Sequence, residues 1–126
     1  MGELSLNVAP ELFERVPDYR RAVLVGRRER DADTHALERG LYAANEQWQS
    51  HTDEVTDVSA VARWRKAYRA VGLNPTKTRP AVEALIRRAK AGGVASLGRP
   101  AIDAGTIATL IAQVPTLLLY SGNRAT

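Results

Sequence analysis

Apolar residues recur at helical spacing through most of the second half of the chain. Val58, Val61, Trp64, Tyr68 and Val71 fall every three or four positions, which places them along one side of an α-helix and predicts that this side is buried. Asp57 precedes the stripe, where a carboxylate can accept from free backbone amides, and is the expected N-cap. Gly72 suits the left-handed residue that closes a helix, and Pro75 forbids immediate resumption. A further helix is expected from Pro80, whose missing N–H is no loss in a first turn; it carries Val82, Leu85, Ile86 and Ala89 inward and ends at Gly92-Gly93. Upstream, Thr34 is placed to cap a helix with Leu37, Leu41, Ala44 and Trp48 inward and Glu38, Arg39, Glu46 and Gln49 on a solvated face. Downstream, Pro100 is expected to open a helix to Gln113 that buries Ile102, Ile107, Leu110 and Ile111, with Val114-Pro115 as the break. Pro10 to Val16 predicts one or two helical turns with Leu12, Phe13 and Val16 inward.

A different period marks three other stretches. Leu4, Leu6 and Val8 alternate with Ser5 and Asn7, the pattern of a half-buried strand, and Pro10 closes it. Tyr19 to Arg28 contains the continuous run Ala22-Val23-Leu24-Val25, the pattern of a buried strand. Thr116 to Tyr120 has strand propensity, and the polar tail from Ser121 is expected to fray. The expected fold class is therefore mixed α/β, of the α+β kind, helix-rich with a small sheet. Three strands separated by long helical stretches make a thin sheet, which implies that part of a larger fold is missing.

Length and composition narrow the class without naming it. A chain of 126 residues fits one domain, taken here as 1–126. With no cysteine, disulfides, thiolate chemistry and a Cys-based zinc site are excluded. His35 and His51 are too far apart in sequence for a local metal pair, and Gly92-Gly93 lacks the Lys-Ser/Thr of a phosphate-cradling loop, so neither metal nor cofactor is expected. The N-terminus has no basic stretch followed by a long apolar run, and Ser5 stands one position short of the myristoylation spacing. An apolar run such as Leu117 to Tyr120 is far too short to cross a bilayer, so no membrane role and a cytoplasmic location are expected.

Charge is what separates this chain from an ordinary one. Between Val61 and Pro100 there are ten Lys or Arg (Arg63, Arg65, Lys66, Arg69, Lys77, Arg79, Arg87, Arg88, Lys90 and Arg99) and one acid, Glu83; from totals of 18 and 14, the remainder holds eight bases and thirteen acids. The overall charge of +4 thus hides a local +9 on a body of −5. Fifteen of the eighteen basic residues are arginine, whose planar fork suits phosphate or carboxylate. A GC-rich genome would also favour arginine, but codon bias does not explain why acids avoid this one segment.

These residues admit more than one role. Arg65, Lys66, Arg69, Lys77, Arg79, Arg87, Arg88 and Lys90 form either a solvated helix face or a surface that neutralises RNA phosphates; with Glu83 the only acid nearby, self-pairing is largely ruled out and RNA contact is favoured. Trp64 and Tyr68 are in phase with Val61 and Val71 and so belong to the core before they belong to a base-stacking platform. Glu83 stands four residues before Arg87, the favourable order for a helix ion pair; a cap contact near Pro80 and a pocket role are the alternatives. Asp103 reads as a helix-start carboxylate or a pocket group.

The stretches Trp64-Arg65-Lys66-Ala67-Tyr68, Gly72-Leu73-Asn74-Pro75 and Arg79-Pro80-Ala81-Val82-Glu83-Ala84-Leu85 with Arg87-Arg88 resemble the tRNA-binding and editing (B3/B4) domain of the phenylalanyl-tRNA synthetase beta chain, above all its free-standing relatives. Pro10-Glu11-Leu12-Phe13 and Pro17-Asp18-Tyr19 are similar to that domain's opening, so the likeness runs from Leu6 to about Leu110. It departs at Ala81, where the family has Ser, and at Thr106 and Thr109, which stand for Asn and Ser between the retained Ile102-Asp103 and Leu110. Ile111 falls where the synthetase has a pocket glutamate. The family domain runs on beyond this likeness, so the match is expected to be incomplete after about residue 112, as in a shortened or frameshifted copy.

The resemblance implies a module of translation that binds tRNA or aminoacyl-tRNA, with aminoacyl-tRNA editing, the hydrolysis of a mischarged amino acid, as the family activity. It implies no ligase active site in this chain. Tyr68, Glu83, Asp103, Thr106 and Thr109 are then candidate polar groups of a pocket, and no residue is identified as a general base. A non-catalytic RNA-binding module, or an inactive remnant, is the alternative, and an unrelated helical protein docking an acidic partner is a third.

Overall fold

A computed structural model describes residues 5–27 and 33–119. Among these, every regular element is helical: α1 (Pro10–Arg15), α2 (Thr34–Gln49), a 3-10 turn (Val55–Asp57), α3 (Ser59–Ala70), α4 (Ala81–Ala91) and α5 (Pro100–Ala112). The expected mixed α/β class with a small sheet is therefore corrected to all-helical for the described residues, which contain no strand. Strand propensity describes a chain that fits a pleated surface, whereas a sheet also needs a second strand to complete its ladder of hydrogen bonds. Residues 6–8, 19–27 and 116–119 form no strand and find no such partner. Instead of a buried run, Leu24 is 98% exposed, Val25 84% and Leu117 83%. The expectations for Leu4, for Arg28, and for Tyr120 with the tail fall outside the described residues.

That exposure gives a direct test. Leu24→Glu and Leu117→Glu, each at a site with little apolar contact to forfeit, are expected to shift unfolding stability by no more than about 0.5 kcal/mol in urea denaturation. A loss of about 2 kcal/mol or more would show that these side chains are buried as strands in solution.

The stripes of α2, α3 and α4 do what their spacing predicts, whereas α1, expected to turn Leu12, Phe13 and Val16 inward, buries none of its residues and leaves Phe13 42% exposed. Leu41, Ala44 and Trp48 of α2 pack with Val55, Val58 and Val61, with Val82, Ile86 and Ala89 of α4, and with Val94 and Leu110 in one core, against which Trp64, Leu85 and Ile107 are partly buried. Helix α2 is the central piece, touching α4 and α5, while α3 rests on the 3-10 turn and on α4. Gly40 is the point of close approach between α2 and α5: a Cβ there would lie 3.1 Å from Ile107 Cδ1. Ile111, expected inside, is exposed, because α5 turns its Leu110 side to α2 and α4. Two long-range polar ties reinforce the assembly. Trp48 Nε1 donates to the Leu110 carbonyl at 2.8 Å, and the Asn45 amide pairs with Val94 in both directions, at 2.9 and 2.7 Å.

Helix ends follow local chemistry with small displacements. The cap of α2 is Asp33, whose Oδ1 accepts from Ala36 N at 3.0 Å, so the expected cap Thr34 is one residue late. Asp57 sits in the 3-10 turn, and Val58 occupies the N-cap of α3 without a side-chain bond. Pro80 is the N-cap of α4 and not its first helical residue. At the end of α3, Gly72 adopts φ 86°, with Gly72 N donating to the Arg69 carbonyl at 3.0 Å and Leu73 N to the Tyr68 carbonyl at 2.9 Å, the Schellman pattern that glycine permits.

Candidate nucleic-acid interface

The basic segment is organised by a carboxylate at its centre. Glu83 lies in the first turn of α4 beside Val82 and three residues before Ile86, so the helix that buries those two also buries Glu83, to 0% exposure. Arg65, one turn after the buried Val61, reaches it from α3. Its Nε donates to Glu83 Oε1 at 2.7 Å and its Nη2 to Oε2 at 2.9 Å, a bidentate pair. Arg87 Nε donates to Oε2 at 2.9 Å from one turn along α4, and Arg79 Nε stands 3.7 Å from the same oxygen. The expected Glu83–Arg87 pair is present, then, as one arm of a three-arginine cluster.

Sequence reasoning singles out Glu83 but misses this convergence, because Arg65 is eighteen residues away. A signal is nevertheless there: Arg65 and Glu83 both stand on the edges of apolar stripes, where a charge must find a partner to be buried.

The turn between α3 and α4 is built to hold this geometry. Asn74 Oδ1 accepts from Thr76 N at 2.9 Å, its carbonyl accepts from Thr78 N at 2.8 Å, and Pro75 is buried. Arg65 Nη1 reaches Thr76 Oγ1 at 3.4 Å, linking the turn to the cluster.

The electrostatics follow from those contacts. Hydrogen bonding from Arg65 holds the Glu83 carboxyl below its usual range against the opposing effect of desolvation, with Arg87 adding to it, and Glu83 in turn raises Arg65. Because the folded pKa is lowered from 4.5, the carboxylate contributes stability at pH values above that figure and loses it as pH falls through the folded value. The midpoint of thermal unfolding is expected to drop as pH is lowered below about 4.5 at constant salt. Glu83→Gln should remove its share of that dependence, and an unchanged acid slope in the variant would contradict the assignment.

Outside the cluster, Lys66, Arg69, Lys77 and Arg88 are exposed and have no carboxylate partner among the described residues. At 3.6 residues per turn, Arg69 is one turn beyond Arg65 on α3 and Lys66 lies about 100° around it, while Arg88 lies about 100° from Arg87 on α4. Arg69 thus lies about 40° from Arg65 and borders the Glu83 cluster, whereas Arg88 lies about 140° from Glu83 around α4 and faces away from it. Lys90 is set differently: its Nζ donates to the His51 carbonyl. With Arg87 it borders a shallow depression of about 380 Å³ whose other wall includes Thr52, Asp53 and Glu54. That depression is mixed in charge, so it is a weaker anion surface than the α3–α4 side.

The candidate pocket groups are employed separately. Asp103 is buried and holds the loop before α5, accepting from Leu97 N at 3.0 Å and from Ser96 Oγ. Thr109 is buried with its Oγ1 3.0 Å from Thr116 Oγ1, which donates to the Gly105 carbonyl. Tyr68 and Thr106 are half-buried, and Glu83 is engaged by arginines. Trp64 packs against the core, as its phase predicts. No group of three His, Asp or Glu with metal-holding geometry occurs among the described residues, and no described helix is long and apolar enough to cross a membrane.

No family profile matches the chain, and neither does any curated protein or any solved structure.

Proposed function

We propose that the protein is an RNA-binding module that takes tRNA on the α3–α4 side through Lys66, Arg69, Lys77 and Arg88, together with the outer arginines of the Glu83 cluster. The observation that carries this reading is a set of exposed cations with no acid partner among the described residues, together with a cluster that itself has three arginines on one carboxylate. Cations left without internal counter-charge gain most from an external polyanion, because each phosphate contact releases condensed counterions. The charge pattern suits any structured RNA, and tRNA is chosen on the sequence resemblance alone. Hydrolysis of aminoacyl-tRNA receives no support from the site, since Glu83, Asp103 and Thr109 each serve a different structural contact. The non-catalytic reading is therefore the one proposed.

The test is a titration of tRNA against salt. Affinity is expected to fall linearly in a log–log plot, and changing Lys66, Arg69, Lys77 and Arg88 together to alanine should flatten the slope by about one unit for each phosphate no longer neutralised. A tRNA affinity no better than that for an unrelated polyanion of equal charge would refute the proposal and favour docking to an acidic protein.

A further inference from the structure

We propose that Arg79 and Arg87, positioned by the buried Glu83, form a clamp for a single phosphate group. The clamp narrows the RNA-binding reading to one defined anion site and rests on it for the source of the phosphate. Donor supply distinguishes the three arginines. A guanidinium carries five N–H groups in a fixed fork, and Arg65 commits all three of its nitrogens, to both oxygens of Glu83 and to Thr76. Arg87 commits only Nε, to Glu83 Oε2. Arg79, with Nε 3.7 Å from that oxygen, is within ion-pair reach but makes no hydrogen bond among the described residues.

The Nη groups of both outer arginines thus keep their donors while Glu83 restrains their Nε ends. Their side chains are 47% and 35% exposed, open to solvent, whereas Arg65 is 13% exposed. Three positive charges on one carboxylate leave two uncompensated, enough to neutralise a phosphomonoester dianion or to hold a singly charged phosphodiester. Glu83 is the positioning residue here: it anchors the guanidiniums that would otherwise repel one another, and it does not itself face the ligand.

The phosphate can be a backbone phosphodiester or a terminal phosphomonoester, which share this recognition chemistry. The experiment is a titration of the ¹⁵N-labelled whole protein with inorganic phosphate, read at the arginine Nε–H resonances, with sodium chloride of equal ionic strength as the control. Saturable shifts at Arg79 and Arg87 are expected, with Arg65 smaller and chloride without effect. Arg79→Ala, at a half-exposed position that should leave the fold intact, is expected to weaken phosphate binding at least about tenfold, the size of one charge-assisted hydrogen bond. Arg79→Lys, which keeps charge but loses the fork, should recover only part of it. Non-saturating shifts spread evenly over all exposed cations, or full affinity in Arg79→Ala, would overturn the clamp.

Short RNAs with and without a 5′-phosphate then separate the two sources: a preference for the phosphorylated end that Arg79→Ala abolishes supports the monoester, and equal affinities that Arg79→Ala lowers together support the backbone. RNA binding that is unaffected by Arg79→Ala would sink the clamp and leave the RNA reading standing. Phosphate saturation at Arg79 and Arg87 without tRNA affinity would do the reverse.

Discussion

Glu83→Ala is expected to destabilise the fold by about 3–5 kcal/mol, the largest single loss attributable to a charged residue among those described. The size follows from what remains behind. Arg65 is 13% exposed and directs two donors at the vacated position, while Arg87 directs a third. Removing the carboxylate leaves partly buried cations with no counter-charge and with unmade hydrogen bonds, and it adds a void at a site of 0% exposure. Glu83→Gln keeps the volume but replaces one acceptor with a donor that faces arginine, so it should recover only part of the loss. Arg65→Ala should cost less than Glu83→Ala, because Arg87 still serves the carboxylate. Urea denaturation of the three variants checks the order; an alanine at position 83 that costs under about 1 kcal/mol would mean that the cluster is open to solvent and behaves as a surface ion pair.

Trp48→Ala should produce a loss of similar size, about 3–5 kcal/mol, from a different cause. Trp48 is 2% exposed at the last turn of α2, packs in the core, and donates to the Leu110 carbonyl at 2.8 Å. Truncation opens a cavity between α2 and α5 and strands a carbonyl near the C-terminal end of α5. Trp48→Phe retains most of the apolar contact but not the donor, and is expected to cost about 1–3 kcal/mol, the penalty of an unsatisfied buried acceptor. Equal losses in the two variants would show that the hydrogen bond, and not the ring volume, dominates.

Glu83 ties α3 to α4 within the proposed interface, whereas Trp48 acts between α2 and α5. The cations that face solvent, Lys66, Arg69, Lys77 and Arg88, contribute little to folding, while the cluster under them fixes the relative placement of α3, α4 and the turn from Asn74 to Thr78. Changes at the exposed cations and at the half-exposed Arg79 should therefore alter affinity with little effect on stability, and changes at Glu83 or Arg65 should alter both.

Legibility in the sequence depends on the range of the interaction. A helix completes its hydrogen bonds within four residues, so its stripe, its ends and its local pairs are written locally. The apolar faces of α2, α3 and α4 are readable in this way, as are the closing role of Gly72, the start of α5 at Pro100 and the Glu83–Arg87 pair. The segregation of charge between Val61 and Pro100 is a property of sequence alone.

Whatever needs a distant partner is decided only in three dimensions. The run Ala22-Val23-Leu24-Val25 has the composition of a buried strand, but a strand is made by its neighbour, and no described segment pairs with it. Asp103 is a carboxylate near a helix start on either reading, and only the path of the chain before α5 commits it to Leu97 and Ser96. The approach of Arg65 to Glu83 likewise comes from packing α3 on α4, which turns a row of cations into a cluster with one buried centre. Sequence determined the helices and the sign of the surface; tertiary structure determined which charges are spent inside and which stay exposed, because burial and pairing depend on contacts that no local pattern encodes.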